Sequence, residues 1–127
     1  MSHFSHIKTR IRNIEYLEKA LLKLEINCER QQKQIVGYQN KTFDVNLSIP
    51  QANGYDIGFN WNGSEYELIV DLSFWQQKWS LEMFMDKLSQ AYATETILNE
   101  SNKQGFQTTN QKTNVDGSVT LVLERWK

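Results

Sequence analysis

The residue types in this sequence that could carry chemistry are two histidines, one cysteine and a set of acids. His3 and His6 could bind a metal ion, but a separation of three directs them to opposite faces of a strand, whereas on a helix they could converge. Cys28 has no histidine near it in sequence that would suggest a catalytic pair. We predict no metal site, no cofactor and no catalytic residue, which argues against an enzyme.

An acidic cluster gives a second possibility of chemistry. Asp56, Glu65, Glu67 and Asp71 could hold a cation or pair their carboxylates for general acid–base catalysis. The solvated face of a strand has the same composition, and no loop here is suited to wrap an ion. An exposed acidic face is therefore the favoured interpretation. The glycines form no phosphate-binding loop.

The stretch DLSFWQQKWSLEMF is the most unusual aromatic segment of the chain. Trp79 precedes a helix cap at Ser80, which is the position of a hydrophobic staple. Trp75 stands beside two uncharged amides, Gln76 and Gln77, and aromatic residues with such neighbours are typical of contact surfaces. Packing at the corner of the core is the favoured interpretation of Trp75. The functional alternative is a partner-binding surface formed by Trp75, Gln76 and Gln77.

A pocket between sheet and helices is a different hypothesis, in which the protein binds a small molecule or is an enzyme. Tyr55, Trp61 and Tyr92 would line it, with Asp56 at its rim.

Two helices must position these residues. In NIEYLEKALLKLE, Ile14, Leu17, Leu21 and Leu24 recur on one helical face, and Asn13 is a fair N-cap. The second helix follows Ser80, and its apolar stripe consists of Leu81, Phe84, Leu88, Tyr92 and Leu98.

The other elements read as strands. TFDVNLSI alternates strictly and predicts one strand with Phe43, Val45, Leu47 and Ile49 on its buried face. Asn62-Gly63 predicts a tight hairpin that pairs Trp61 with Ser64 and Phe59 with Tyr66. Two further strands meet at Asp116-Gly117.

This element order predicts a single α+β domain over residues 1–127. We expect two layers, with a mainly antiparallel sheet of about five to seven strands and two helices packed on it.

Composition limits the possible environments. The formal net charge is −1, which argues against nonspecific nucleic-acid binding as the main role, although residues 1–41 hold eight Lys/Arg against four acids. RNA binding through Lys8, Arg10 and Arg12 is a distant alternative. A single cysteine fits a reducing compartment, and no apolar run is long enough to cross a membrane.

Several segments together resemble a known family. MSHFSHIKTRIRN, DIGFNWNG followed by DLSFWQQ, KQGFQ and NVDGSVTLVLERW are similar to the hypothetical chloroplast reading frame thirty-five family, a domain of unknown function of plastids and cyanobacteria. The resemblance spans essentially the whole chain. One departure is Glu25, where the family tends to place a glycine at the end of the first helix.

The resemblance implies a plastid stroma or a cyanobacterial cytoplasm, and because it starts at Met1 we expect no cleaved transit peptide. It implies no activity and no catalytic residue. Our leading hypothesis is a non-enzymatic protein-interaction or assembly-auxiliary module, with an unknown protein partner and a link to photosynthetic or plastid function.

Overall fold

Two α-helices and eight β-strands make up the part of the chain that the computed structural model describes, residues 4–113 and 119–125. The helices are α1 (Ile14–Lys23) and α2 (Leu81–Lys103). The strands are β1 (Ser5–Ile11), β2 (Lys33–Val36), β3 (Thr42–Val45), β4 (Leu47–Ile49), β5 (Ile57–Trp61), β6 (Tyr66–Val70), β7 (Phe106–Thr113) and β8 (Val119–Arg125).

The strands pair in antiparallel ladders, which confirms the predicted α+β class. Four of them form one sheet in the order β1-β6-β5-β4, while β2-β3 and β7-β8 form separate two-stranded ladders. The strands predicted in the last part of the sequence are β7 and β8, and the predicted turn at Asp116-Gly117 lies outside the described residues.

Both helices cover one face of the four-stranded sheet because apolar residues alternate along its strands. Ile57 and Phe59 on β5 and Leu68 on β6 point to this face and are fully buried. Burying one such side chain contributes about 1.5–3 kcal/mol. Their partners in the same core are Leu17, Ala20 and Leu21 of α1 and Phe84 and Leu88 of α2.

The helix starts follow the capping signals in the sequence. The Asn13 side chain accepts hydrogen bonds from the N–H groups of Glu15 and Tyr16, and the Ser80 hydroxyl accepts one from Met83. Each cap satisfies backbone donors that the first turn of a helix leaves unpaired. Both predicted N-caps are therefore confirmed.

Helix α1 ends in a Schellman motif built on Glu25. The N–H of Ile26 donates to the carbonyl of Leu21, and the N–H of Glu25 donates to the carbonyl of Leu22. This motif requires a left-handed residue, and Glu25 has φ 61°. Glutamate thus occupies a position where glycine is the usual residue of a Schellman motif.

The strand predicted over residues 42–49 is divided in two at Asn46. The N–H of Asn46 donates to the carbonyl of Phe59 at 2.8 Å, and its side-chain oxygen accepts the N–H of Trp61 at 2.8 Å. After Asn46, β4 pairs with β5 in the main sheet. Before Asn46, β3 lies outside that sheet and pairs with β2.

The β2-β3 ladder covers the other face of the sheet, which the sequence led us to expect in solvent. Ile69 points to this face from β6 and is fully buried with Ile35 and Val45. Gly58, its cross-strand partner on β5, leaves room for the Val45 side chain. Ile69, Ile35 and Val45 thus form a second small core on this face.

The β5-β6 hairpin differs from its predicted register by two residues. Phe59 pairs with Leu68 and Trp61 with Tyr66, so the turn is centred on Gly63 and Ser64. The side-chain oxygen of Asn62 accepts the N–H groups of both Ser64 and Glu65, which stabilises this position of the turn. A shift of two leaves every side chain on its predicted face.

The described residues contain no helix that is both long and apolar enough to cross a membrane.

We expect Glu25→Gly to raise the free energy of unfolding by about 0.5–1 kcal/mol. Relief of about 1–2 kcal/mol of left-handed strain should exceed the roughly 0.4–1 kcal/mol of entropy that glycine adds to the unfolded chain. Urea denaturation measures the difference. Glu25→Ala retains a Cβ and serves as the control, so an equal gain in both variants would show that strain at this position is not the cause.

We expect Gly58→Ala to lower the free energy of unfolding by about 1–3 kcal/mol through overpacking. The added Cβ would lie 2.3 Å from Cγ1 of Val45, closer than packed atoms can approach. A double-mutant cycle with Val45→Ala tests the cause, because the smaller side chain should recover part of the loss. Simple additivity of the two changes would contradict this account.

Candidate functional site

A buried glutamine organises the loop that carries the predicted partner-binding residues. Gln51 is 8% exposed, and its side-chain oxygen accepts the N–H of Gln76 at 2.8 Å and the amide of Gln77 at 3.0 Å. Its side-chain nitrogen donates to the carbonyl of Phe74 at 3.0 Å and to that of Tyr55. One amide thus joins the loop after β4 to the loop before α2.

Trp75 packs onto the main core. Its ring lies edge-on to Phe84 with centroids 5.3 Å apart, and its indole N–H donates to the carbonyl of Trp79 at 2.8 Å. The side chain is half-buried. Its position explains why an aromatic residue is required here, and it makes Trp75 a support for the start of α2.

Gln76 and Gln77 lie beside a groove of about 400 Å³. Gln76 is exposed, and its side-chain oxygen accepts the N–H of Asn53 at 3.0 Å. We call this feature the 76–79 groove; its lining residues are Glu25, Ile26, Asn27, Ile49, Pro50, Gln76, Gln77, Lys78 and Trp79. Two of the three predicted partner-binding residues therefore line one concave surface together with Trp79.

Trp79 contributes an aromatic ring flanked by cations to this groove. The ammonium of Lys78 lies 4.4 Å from the ring centroid and that of Lys87 lies 5.1 Å from it. Such contacts hold a ring in place through its quadrupole. The ring also packs partly against the main core.

The four predicted pocket residues have different surroundings. Tyr55 stacks on Phe74 with centroids 3.7 Å apart, and the Asp56 carboxylate accepts the N–H of Gln51 at 3.1 Å. The hydroxyl of Tyr92 accepts the N–H of Asn13 at 3.1 Å. Between sheet and helices, where the pocket was expected, Leu17, Phe59 and Phe84 are fully buried in the main core.

Trp61 lies at the end of the hairpin instead, and 42% of its surface is exposed. It lines a different cavity with Arg12, Arg30 and Tyr66, among other residues. Tyr66 lies beside Trp61 because the two residues pair across the β5-β6 hairpin. No sequence motif marked Arg30 as a site residue, because only the tertiary structure brings it to this cavity.

The acids predicted as an exposed face have structural partners. Asp71 is buried, and its carboxylate accepts the N–H groups of Tyr38 at 3.0 Å and of Ser73 at 3.1 Å. The Nδ1 atom of His6 lies 3.7 Å from the Glu67 carboxylate, while His3 lies outside the described residues. Asp71 thus closes a turn next to β2 and does not belong to a solvated face.

Cys28 is half-buried, and burial raises the pKa of its thiol, to which the nearby Glu18 carboxylate adds. A raised pKa leaves little of the reactive thiolate at neutral pH. Among residues 4–113 and 119–125, no group of three or more His, Cys, Asp or Glu could hold a metal ion.

Comparison with known proteins gives matches over nearly the whole chain. The family described as "Protein of unknown function (DUF1257)" matches residues 20–122. A Trieres chinensis protein named "Uncharacterized protein ycf35" is 52% identical over 122 residues, which cover 94% of each chain. A Guillardia theta protein of the same name is 44% identical over 127 residues, covering 100% of this chain and 99% of the relative. No solved structure matches.

We expect Gln51→Met to lower the free energy of unfolding by about 2–3 kcal/mol, because it leaves the Phe74 carbonyl and the Gln76 N–H without their partners. Hydrogen exchange at the Gln76 amide should accelerate. Gln34→Met, an exposed substitution on β2, is the control. Unchanged exchange at Gln76 in the Gln51 variant would refute the organising role of this side chain.

Proposed function

This chain belongs to the DUF1257 family, and we propose that it is a non-enzymatic protein-interaction or assembly-auxiliary module that docks a protein partner in the 76–79 groove. Gln76 and Gln77 remain the partner-binding candidates, and Trp75 supports the loop that holds them. The observation that carries the proposal is their position in one groove with Trp79.

The chemistry of the groove fits an extended polypeptide segment. Asn27, Gln76 and Gln77 present amides, which both donate and accept hydrogen bonds as a peptide backbone does. Trp79 and Pro50 add apolar surface for side chains. Aromatic residues such as Trp79 are enriched at protein interfaces, and the charged residues Glu25 and Lys78 lie beside it in the lining.

The groove is also prepared for binding. The Gln77 side chain donates a hydrogen bond to Gln51. The Trp79 ring is flanked by Lys78 and Lys87. A partner therefore has to order few side chains when it binds. Surfaces that are fixed before association lose less entropy on binding.

We further propose that this module works in a plastid stroma or a cyanobacterial cytoplasm and is linked to photosynthetic or plastid function. Support comes from the relatives named ycf35, which agree with the family that the sequence motifs resemble.

We expect capture of the tagged protein from its native lysate, with mild crosslinking and quantitative mass spectrometry, to enrich a partner that Asn27→Arg loses. Arginine at position 27 would fill part of the groove and add a charge. Asn27 is exposed, which favours a variant that folds normally. Ser89→Arg, an exposed site on α2 with the same change of charge, should retain the partner.

Trp75→Ser is less informative here, because removing a ring that packs on Phe84 disturbs folding as well as docking. A partner set that is the same for the native protein, Asn27→Arg and Ser89→Arg would place the docking surface elsewhere. Absence of any enriched protein would count against the interaction role itself.

A further inference from the structure

A second concave surface lies where the end of β1, the start of α1 and the tip of the β5-β6 hairpin meet. Its volume is about 530 Å³, and it is separate in its lining residues from the 76–79 groove. The residues that matter are two arginines, two amides and two aromatics: Arg12, Arg30, Gln32, Asn46, Trp61 and Tyr66. We call it the hairpin cavity.

Trp61 and Tyr66 form the aromatic side of this cavity. They are cross-strand partners, with ring centroids 5.0 Å apart. The backbone of Trp61 is held by the side chain of Asn46, yet 42% of the residue is exposed. An indole fixed at its backbone and open to solvent offers a face on which a planar ring can stack.

Arg12 and Arg30 make the cavity positive, and its lining residues include no carboxylate. The nearest pairing is that of Arg30 with Glu18, at 3.8 Å and with both side chains more than 40% exposed, which is a weak contact in water. Glu65, next to Tyr66, accepts the N–H of Arg10 at 2.9 Å. Guanidinium groups bind phosphate in a planar, two-pronged geometry.

An irregularity in β1 brings Arg12 to this place. The pairing with β6 shifts between Lys8 and Ile11, and Arg10 has the left-handed φ of 62°. The Thr9 hydroxyl donates to the carbonyl of Tyr66 and accepts the N–H of Ile11 at 3.0 Å. Ile11 therefore pairs with Tyr66, and Arg12 follows beside it. Bulges with strained residues occur where a strand must redirect a functional side chain.

Ile14, the first residue of α1, also lines the cavity, beside a helix start that Asn13 caps and that carries Glu15 in its first turn. The positive charge of the lining therefore comes from Arg12 and Arg30.

We propose that the hairpin cavity binds a small phosphorylated aromatic ligand of the mononucleotide class. The ring stacks on Trp61, and the phosphate lies between Arg12 and Arg30. The amide of Gln32 supplies a donor and an acceptor for the polar edge of the ring, and Asn46, whose oxygen accepts the N–H of Trp61, supplies its NH2 group as a donor. This site does not depend on the docking function proposed for the 76–79 groove.

The probe for the test is adenosine 5′-monophosphate, titrated by calorimetry and followed by the indole N–H signals in NMR spectra. We expect saturable binding that weakens with added salt, and a larger shift for the Trp61 signal than for the other three tryptophans. Adenosine and inorganic phosphate each lack one half of the ligand and should bind at least about tenfold more weakly.

Arg12→Gln and Trp61→Leu should each weaken binding by about tenfold, the effect of losing one charge-assisted contact or one stacked ring. Lys8→Gln is the matched control, since it removes a charge from the neighbouring strand β1, outside the cavity. Equal weakening by Lys8→Gln and Arg12→Gln would overturn the proposal in favour of a general basic surface.

A variant that folds poorly would also bind weakly, so titration of the native protein gives an independent test of the site. Absence of a saturable Trp61 shift with adenosine 5′-monophosphate refutes the site. Binding of an RNA oligonucleotide without binding of adenosine 5′-monophosphate also refutes the site, because the surface would then recognise a polymer and not a small ligand.

Discussion

Burial of strand β6 on both faces is the constraint on which the rest of the structure depends. Leu68 and Val70 face the two helices, and Ile69 between them faces the β2-β3 ladder. A strand covered on both sides needs two layers of partners, and the chain supplies the second by turning away at Asn46. Gly58 completes this arrangement, since any side chain there would displace Val45.

The hydrogen bonds of Gln51 give the candidate interaction surface its shape. A buried side-chain amide must satisfy both its donors and its acceptor, and Gln51 does so with four hydrogen bonds, three of which join the loop after β4 to the loop before α2. The loop before α2 can then hold Trp75 against Phe84 while Gln76 and Gln77 line a groove. The hydrogen bonds of Gln51 thus fix the packing of this loop, and Gln76 and Gln77, to which it is bonded, line the groove.

Strain in the backbone accompanies both concave surfaces. Glu25, with its left-handed φ, lines the 76–79 groove, and Arg10 has the same conformation next to the hairpin cavity. Glu25 ends α1 beside the 76–79 groove, and Arg10 changes the direction of β1 beside the hairpin cavity. Each strained residue therefore sets the direction of the chain next to one of the two concave surfaces. An ordinary strand or helix end would place the adjoining side chains elsewhere.

The sequence by itself determined the two helices, their caps, the buried faces of the β5-β6 hairpin and the class of fold, because these depend on local spacing. Asn13 and Ser80 cap the two helices, and alternation in β5 and β6 places the correct side chains on the correct faces even though the hairpin register is shifted by two. The motifs also identified the family.

Only the tertiary structure decided what those elements cover. The division of residues 42–49 at Asn46, the burial of Asp71 and the organising role of Gln51 all depend on partners distant in sequence. The same is true of both concave surfaces, since Asn27 meets Gln77 and Arg12 meets Trp61 only after the chain has folded. Periodicity reports which face of an element is apolar, but it carries no information on which distant residue will lie against that face.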